Sequence, residues 1–198
     1  IESKVLYDLC DRFGILIWQE FIQSSSGIDN IPCTEKKYLD ILERTSLCAV
    51  KEKRNHTCLA YWSGGNELTD TYGVPVNYQN ENIKMLKNIV SEYDHERMFL
   101  PTSASGPLEF LRIDKKGKNH DVHGPWKYLG VEQHYHTYNN SDSMLQSEFG
   151  VDGMSSLDSL ENFLSKENLK VVSMDKNQVW NHHGEWWDTL ERDEMIFG

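Results

Sequence analysis

An α/β fold with parallel strands is what the sequence predicts, and two observations predict it. Short apolar runs rich in β-branched and aromatic residues alternate along the chain with longer segments of helical spacing. Two of the short runs, Leu59-Ala60-Tyr61-Trp62-Ser63-Gly64-Gly65-Asn66-Glu67 and Met144-Leu145-Gln146-Ser147-Glu148-Phe149-Gly150, carry a glutamate two residues from a glycine at their C-terminal end. A short apolar run bounded by Gly fits a buried strand, and strand C-terminal ends are where a barrel of alternating strands and helices presents its catalytic groups.

The elements follow in order. Residues 2–13 place Val5, Leu6, Leu9 and Phe13 at helical spacing, and Gly14 is a natural stop. Ile15–Phe21 reads as a strand, and Ser24-Ser25-Ser26-Gly27 as a loop. Thr34 is suited to cap a helix reaching about Lys53, with Tyr38, Leu39, Leu42 and Leu47 on its buried side. The Leu59–Ser63 strand comes next, then a polar loop through Pro75 and a helix over Glu81–Tyr93 with Ile83, Leu86, Ile89 and Val90 on one face. Met98–Thr102 is a short strand whose Pro101 must sit where the ladder has ended. Leu111–Asn119 is a charged turn, Asp121–His123 a brief strand, and Tyr128–Asn140 an aromatic, His-rich loop or short helix. The Met144–Phe149 strand and a short amphipathic helix over Leu157–Leu164 complete the readable part, since Val171–Gly198 shows no clear period.

Composition narrows the function. A chain of 198 residues can bury one sizeable core, and residues 1–198 are expected to form a single domain. The net charge of −11 repels a polyanion and no basic cluster offsets it, so nucleic acid is not an expected partner. No apolar run approaches the roughly 20 residues of a membrane helix, so no membrane partner is expected. Cys10, Cys33, Cys48 and Cys58 form no C-x-x-C pair and read as free thiols. Asn55-His56-Thr57 and Asn139-Asn140-Ser141 match an N-glycosylation pattern too common by chance to carry weight, and the compartment stays unknown. Six Trp, nine Tyr and seven Phe, several near strand ends, suit the apolar faces of sugar rings as well as a core.

Two glutamates on separate strand ends are what glycoside hydrolysis needs: one carboxyl protonates the leaving oxygen and the other attacks the anomeric carbon. Such a pair requires opposed environments, one carboxyl kept protonated and one ionised. Glu67 after Gly-Gly-Asn suits the acid, Asn66 beside it can bond a sugar hydroxyl, and Glu148 suits the nucleophile. No cofactor is implied, because two carboxylates suffice.

These motifs resemble a known family. Tyr7-Asp8-Leu9-Cys10-Asp11 with Gly14-Ile15-Leu16-Ile17-Trp18-Gln19-Glu20-Phe21 looks like the third-strand motif of glycoside hydrolase family 2. Trp62–Glu67 resembles its acid/base motif after strand four, Asp121–His123 with Gly124-Pro125-Trp126 its strand-six region, and Ser147-Glu148-Phe149-Gly150 its nucleophile motif after strand seven. The β-mannosidase and exo-β-glucosaminidase branch is the nearest in flavour. The resemblance implies a partial (β/α)8 TIM barrel, roughly strands three to seven with their helices, and retention of anomeric configuration. It makes Glu67 the acid/base, Glu148 the nucleophile and Asn66 a sugar ligand, with Trp62, His123, Trp126 and Tyr135 as pocket walls. Glu20 is either a contact to substrate hydroxyls or a buried structural partner of an Arg. The expected substrate partner is a β-linked oligosaccharide or glycoside. The first two strands, the eighth and the flanking β-sandwich domains of the family have no equivalent in this sequence. An open five-strand sheet would have two unpaired edges, and self-association would cover them.

Other chemistries fit less well. His134-x-His136 would project from one face of a strand and His182-His183 are adjacent, but no third or fourth ligand and no H-E-x-x-H accompany them, so no metal is expected. His183-Gly184-Glu185-Trp186-Trp187 looks instead like the family's loop after strand seven. Ser63-Gly64-Gly65 is not the G-x-S-x-G elbow of a serine hydrolase. A non-catalytic reading stands beside the β-mannosidase-like one: a sugar-binding piece of a glycosidase without turnover. Within the family, β-galactoside or exo-β-glucosaminide specificity is the alternative, because few contacts separate these substrates.

Overall fold

The computed structural model describes residues 1–23, 30–151, 153–169, 177–183 and 189–197. They form two compact units, one of Ile1–His123 with Ser141–Glu148 and one of Gly124–Asn140 with Phe149–Gly198.

In the first unit, helix α1 (Lys4–Phe13) ends on Gly14, which takes the left-handed conformation (φ 70°) open to glycine and returns its N–H to the Cys10 carbonyl. The helix is as predicted, but its core side is Tyr7 and Cys10, while Val5, Leu9 and Phe13 are exposed. Strand β1 (Ile17–Glu20) follows. Helix α2 (Lys36–Lys53) starts one residue later than a Thr34 cap implies: Glu35 is the N-cap, in extended conformation, and its carbonyl receives the Leu39 N–H. Leu42, Ser46, Ala49 and Val50 face its core side, with Tyr38 and Leu47 packed at the margin. Strand β2 (Leu59–Ser63) leads to α3 (Glu81–Tyr93), capped by the Asn80 side chain on Asn82 N–H, with Ile83, Leu86, Ile89 and Val90 buried as the spacing required. Strand β3 (Met98–Leu100) stops before Pro101, which has no N–H for a ladder.

Strands β1, β2 and β3 pair in parallel in that order. Strands β4 (Asp121–His123) and β5 (Leu145–Glu148) form a separate parallel pair. The single five-strand sheet expected from the sequence is therefore two sets. β3 is too short to carry a ladder past Pro101, and residues 101–120 are turns rather than a helix. Asn119, fully buried, holds this segment by donating to the Arg112 carbonyl and to Asp142 and accepting from the Arg112 N–H.

The core lies where α1, α2 and α3 cover β1–β3. Phe21 stacks on Trp62 with centroids 5.1 Å apart, amid Leu42, Val50, Leu86 and Phe99. Trp62 donates its indole N–H to Asp94 (2.8 Å). Asp94 is also gripped by Arg97, whose guanidinium bonds the carbonyls of Arg54 (2.6 Å), His56 (2.7 Å) and Leu59 (2.7 Å). Helix α3 is thereby tied to the start of β2.

In the second unit, α4 (Val131–Asn139) and α5 (Leu157–Phe163) are followed by α6 (Gln178–His183) and α7 (Leu190–Phe197). The last two lie in the stretch that showed no period. Leu160, Leu164 and Trp180 make a small core, and the Trp180 indole donates to the Asn168 carbonyl (2.7 Å). His134-x-His136 sits on helix α4, not a strand, so the two rings do not share a face. The Ser24–Gly27 loop and the Gly184–Trp187 part of the expected overhanging loop lie outside the described residues. Among the described residues no helix is long and apolar enough to cross a membrane.

Candidate active site

Five polar groups converge at the C-terminal ends of the strands of the first unit, and local structure explains each. Glu20 is the last residue of β1 and Glu148 the last of β5. His123 ends β4, and the β4–β5 register shifts between Val122 and His123: Val122 pairs with Gln146 but His123 pairs with Glu148. Such a bulge re-aims side chains, and here it brings the imidazole level with the glutamate. Ser103 follows β3 by three residues, where Pro101 has released the chain.

Glu67 lies beyond β2 on a turn in which space is short. A Cβ on Gly64 would overlap the Pro101 carbonyl and come within 2.6 Å of Ile83, and one on Gly65 would meet Gln23. Glu67 itself has a positive φ (52°), uncommon for a side-chain-bearing residue and a mark of stored strain at functional sites. Neighbours over-determine it. Asn66 N–H donates to the Gln23 carbonyl (2.9 Å), Glu67 N–H to the Ser103 carbonyl, and Leu68 N–H to the Thr102 hydroxyl (2.9 Å).

The two glutamates face each other. Donor atoms of Glu67, His123 and Glu148 all lie within 4.8 Å of one another. His123 Nδ1 is 3.7 Å from Glu67 Oε1 and 3.8 Å from Glu148 Oε2. His123 Nε2 is 2.9 Å from Ser103 Oγ, which donates to Ser147 Oγ at 3.2 Å. The imidazole is fully buried, whereas the glutamate side chains keep 25% and 38% of their surface open. Access to a ligand therefore belongs to the carboxylates. A cleft of about 410 Å³ opens over Trp18, Glu20, Ser103, Ser147 and Glu148.

Electrostatics single out Glu20. Burial first, then the charges of Glu148, Asp121 and Glu67, push its carboxyl up to about 7, against a smaller opposing effect of the Ser103 hydroxyl. Glu109 is also raised, by burial and by Glu67. Like charges gathered in a partly dry cleft have this effect, and a proton on Glu20 relieves it. No Arg partner of Glu20 is seen among the described residues.

Several sequence-predicted site residues are thus brought together: Glu67, Glu148, Glu20 and, beneath them, His123. Asn66 is half-buried on the same turn as Glu67. Trp62 is a correction. Strand side chains alternate between faces, and Trp62 falls on the helix-facing side, fully buried against Phe21 with its N–H spent on Asp94, so it cannot line a pocket. His123 is likewise no pocket wall, being shut off from solvent. Trp126 and Tyr135 belong to the second unit, the first 37% and the second 67% exposed. Sequence reasoning missed Ser103 and Asp121. Asp121 is buried at the start of β4 and accepts from the Ser105 N–H (2.7 Å) and hydroxyl (3.0 Å). The signal for Ser103 was its position just past a strand ended by proline.

A second cluster, Asp11, His56 and Cys58, has donors equally close. The Asp11 carboxylate is already taken by His56 Nδ1 (2.6 Å), Thr57 Oγ1 (3.0 Å) and Cys58 N–H (2.7 Å). Burial, reinforced by Asp11, pushes the Cys58 thiol up to about 11, against the thiolate a metal needs. The cluster reads as a clasp between α1 and the start of β2.

Comparison with known proteins gives consistent results. Beta-mannosidase B of Aspergillus fumigatus is 24% identical over 184 residues, covering 84% of this chain and 21% of that protein. Beta-mannosidase B of Aspergillus niger is 25% identical over 187 residues, covering 85% and 21%. The chain thus spans about a fifth of the length of these relatives. Among solved structures, the β-D-mannosidase of Dictyoglomus thermophilum superposes with a TM-score of 0.63 at 21% identity, over 84% of this chain and 20% of that one, which marks the fold as α/β of TIM-barrel type. Residues 2–193 match the family described as glycosyl hydrolases family 2, TIM barrel domain. With strand-end carboxylates, fold and family match in agreement, the chain belongs to glycosyl hydrolase family 2, within the TIM barrel domain of that family.

Proposed function

We propose that the polypeptide carrying this sequence hydrolyses terminal β-glycosidic bonds with retention, Glu148 acting as nucleophile and Glu67 as acid/base. The observation that carries the reading is the gap between the two carboxylates. Their closest donor atoms lie within 4.8 Å. Retaining enzymes hold the pair about 5–5.5 Å apart, while inverting ones need about 6.5–9.5 Å to seat a water.

In the first step a Glu148 oxygen bonds to the anomeric carbon as Glu67 protonates the departing oxygen and the glycosidic bond breaks. In the second, Glu67 takes a proton from water, the water oxygen bonds to the same carbon and the bond to Glu148 breaks. Asn66 and Glu20, beside the pair, are the proposed contacts to sugar hydroxyls. A β-mannoside is the proposed substrate, on the names of the Aspergillus relatives; β-galactoside and exo-β-glucosaminide specificities are the alternatives, and few contacts separate them. We further read β1 to β5 as strands three to seven of one catalytic barrel, with residues 1–198 as its single central portion. The edges of its strand sets would pair with further strands or with a second copy.

The test is a panel of nitrophenyl β-glycosides offered to the polypeptide and to its Glu67→Gln and Glu148→Ala variants. The expected results are cleavage of at least one glycoside, loss of turnover in Glu148→Ala, and a fall of about 10²–10⁴ in kcat for Glu67→Gln. Undiminished turnover in Glu148→Ala overturns the assignment.

A further inference from the structure

One hydroxyl joins four strand ends of the site. Ser103, buried, places its Oγ 2.9 Å from His123 Nε2 and donates its single proton to Ser147 Oγ at 3.2 Å. Its carbonyl receives the strained Glu67 N–H, and the Glu20 carboxylate is the other acceptor within reach of that same hydroxyl proton, so the proton goes to Ser147 or to Glu20 and in neither case to the imidazole. With its proton committed, the Ser103 oxygen can only accept from the imidazole, since a serine hydroxyl has one hydrogen.

We infer that Ser103 is a positioning residue that holds His123 as the Nε2–H tautomer, so that Nδ1 is the nitrogen turned toward the Glu67–Glu148 pair. The ring that touches both carboxylates has its two nitrogens divided between tasks, as is usual for a functional histidine. Nε2–H anchors, and Nδ1, at 3.7 and 3.8 Å from the two oxygens, faces the proton that Glu67 must hold and release. The groups against the imidazole are Glu67 beyond β2, Ser103 beyond β3 and Glu148 on β5, and the charges next to these are Glu20 at the end of β1, Asp121 on β4 and Glu109 ahead of it. All five titratable members are acidic, so the orientation of the histidine decides where a shared proton can rest. Without Ser103 the ring can turn over and exchange its nitrogens. His123 does not reach solvent, so the effect falls on the chemical step rather than on sugar binding. The catalytic half of the inference rests on the glycosidase reading above; the tautomer half does not.

The experiment is nitrogen-15 NMR of the histidine-labelled polypeptide without substrate, with the His123 signals assigned by their loss in His123→Asn. Wild type is expected to show His123 protonated on Nε2 when neutral. Ser103→Ala is expected to lose that single tautomer and to drop kcat roughly 10²-fold, the scale of a misplaced catalytic group, with KM little changed. Ser103→Thr, which keeps the hydroxyl, should restore both. An Nδ1–H tautomer in wild type overturns the inference. So does a Ser103→Ala protein with unaltered His123 signals and unaltered kcat. Should Ser103→Ala fail to fold, wild type and Ser103→Thr decide. Should wild type cleave none of the glycosides, the glycosidase reading falls, and the tautomer measurement alone decides whether Ser103 orients His123.

Discussion

Replacing Glu20 by glutamine tests the electrostatics of the cleft apart from any substrate. The Glu20 carboxyl ionises near 4.5 when free in the unfolded chain and at about 7 in the folded one. Between those values the native state binds the extra proton, so the slope of stability with pH is negative. The contribution is complete below pH 4.5 and is lost as pH rises through about 7. At about 1.4 kcal/mol per pH unit, the whole interval amounts to about 3 kcal/mol. Water reaches part of this half-buried side chain and screens its neighbours, which brings the effect to about 1–2 kcal/mol. Glutamine has the shape but not the charge. Glu20→Gln should therefore match wild type near pH 4.5 and exceed it above pH 7, by roughly 2–8 °C in Tm for a chain of this size. Thermal unfolding of both proteins by tryptophan fluorescence from pH 4.5 to 8.5 reads the difference. A gap that is constant across that range, or a wild type that is the more stable at pH 8, refutes the claim that Glu148, Asp121 and Glu67 crowd this carboxyl.

Three further outcomes follow from packing. Trp62→Phe removes the donor to Asp94 and should cost about 1–3 kcal/mol in a denaturant titration, while KM for any cleaved glycoside stays unchanged because the ring is not in the cleft. Gly64→Ala should be destabilising by more than about 2 kcal/mol, the cost of forcing a methyl group into backbone, and should disturb the Glu67 turn; a Tm within 1–2 °C of wild type, roughly 0.5 kcal/mol, would contradict the tight approach to Pro101. Asp11 has its carboxyl held well below the usual range by the hydrogen bonds from His56 and Cys58. Asp11→Ala should therefore lower Tm at neutral pH, with the deficit shrinking as acid protonates the wild-type carboxyl, and an equal deficit at pH 2 and pH 7 counts against the clasp.

Both glutamates were legible because each follows a short strand-like run and lies two residues from a glycine, and the helix over Glu81–Tyr93 because its four buried apolar residues keep the period. The misplacement of Trp62 has a plain cause. Leu59–Ser63 is apolar or small throughout, so nothing in the run marks which alternate residues face the helices. Parity was settled by tertiary partners, Phe21 and Asp94, that are distant in sequence. The break between β3 and β4 was hidden for a related reason: pairing between strands is a long-range property, and only Pro101 hinted at it. Ser103 went unnoticed because a lone serine has no pattern; its role exists only once His123 and Ser147 are beside it. The helices after Gln178 are six and eight residues long, too short for a period to declare itself.

The guanidinium of Arg97 has a bearing on chemistry it never approaches. By grasping three carbonyls around the entrance of β2 together with Asp94, it sets how far that strand is drawn along its own axis. Slippage by one residue would swap the two faces of the strand and carry the Asn66–Glu67 turn out of step with β5. Under the proposed glycosidase reading, the height at which Glu67 would offer a proton to a departing sugar is thus calibrated from the opposite ends of the strands, and variation there would tune or spoil turnover while leaving every group around the sugar intact.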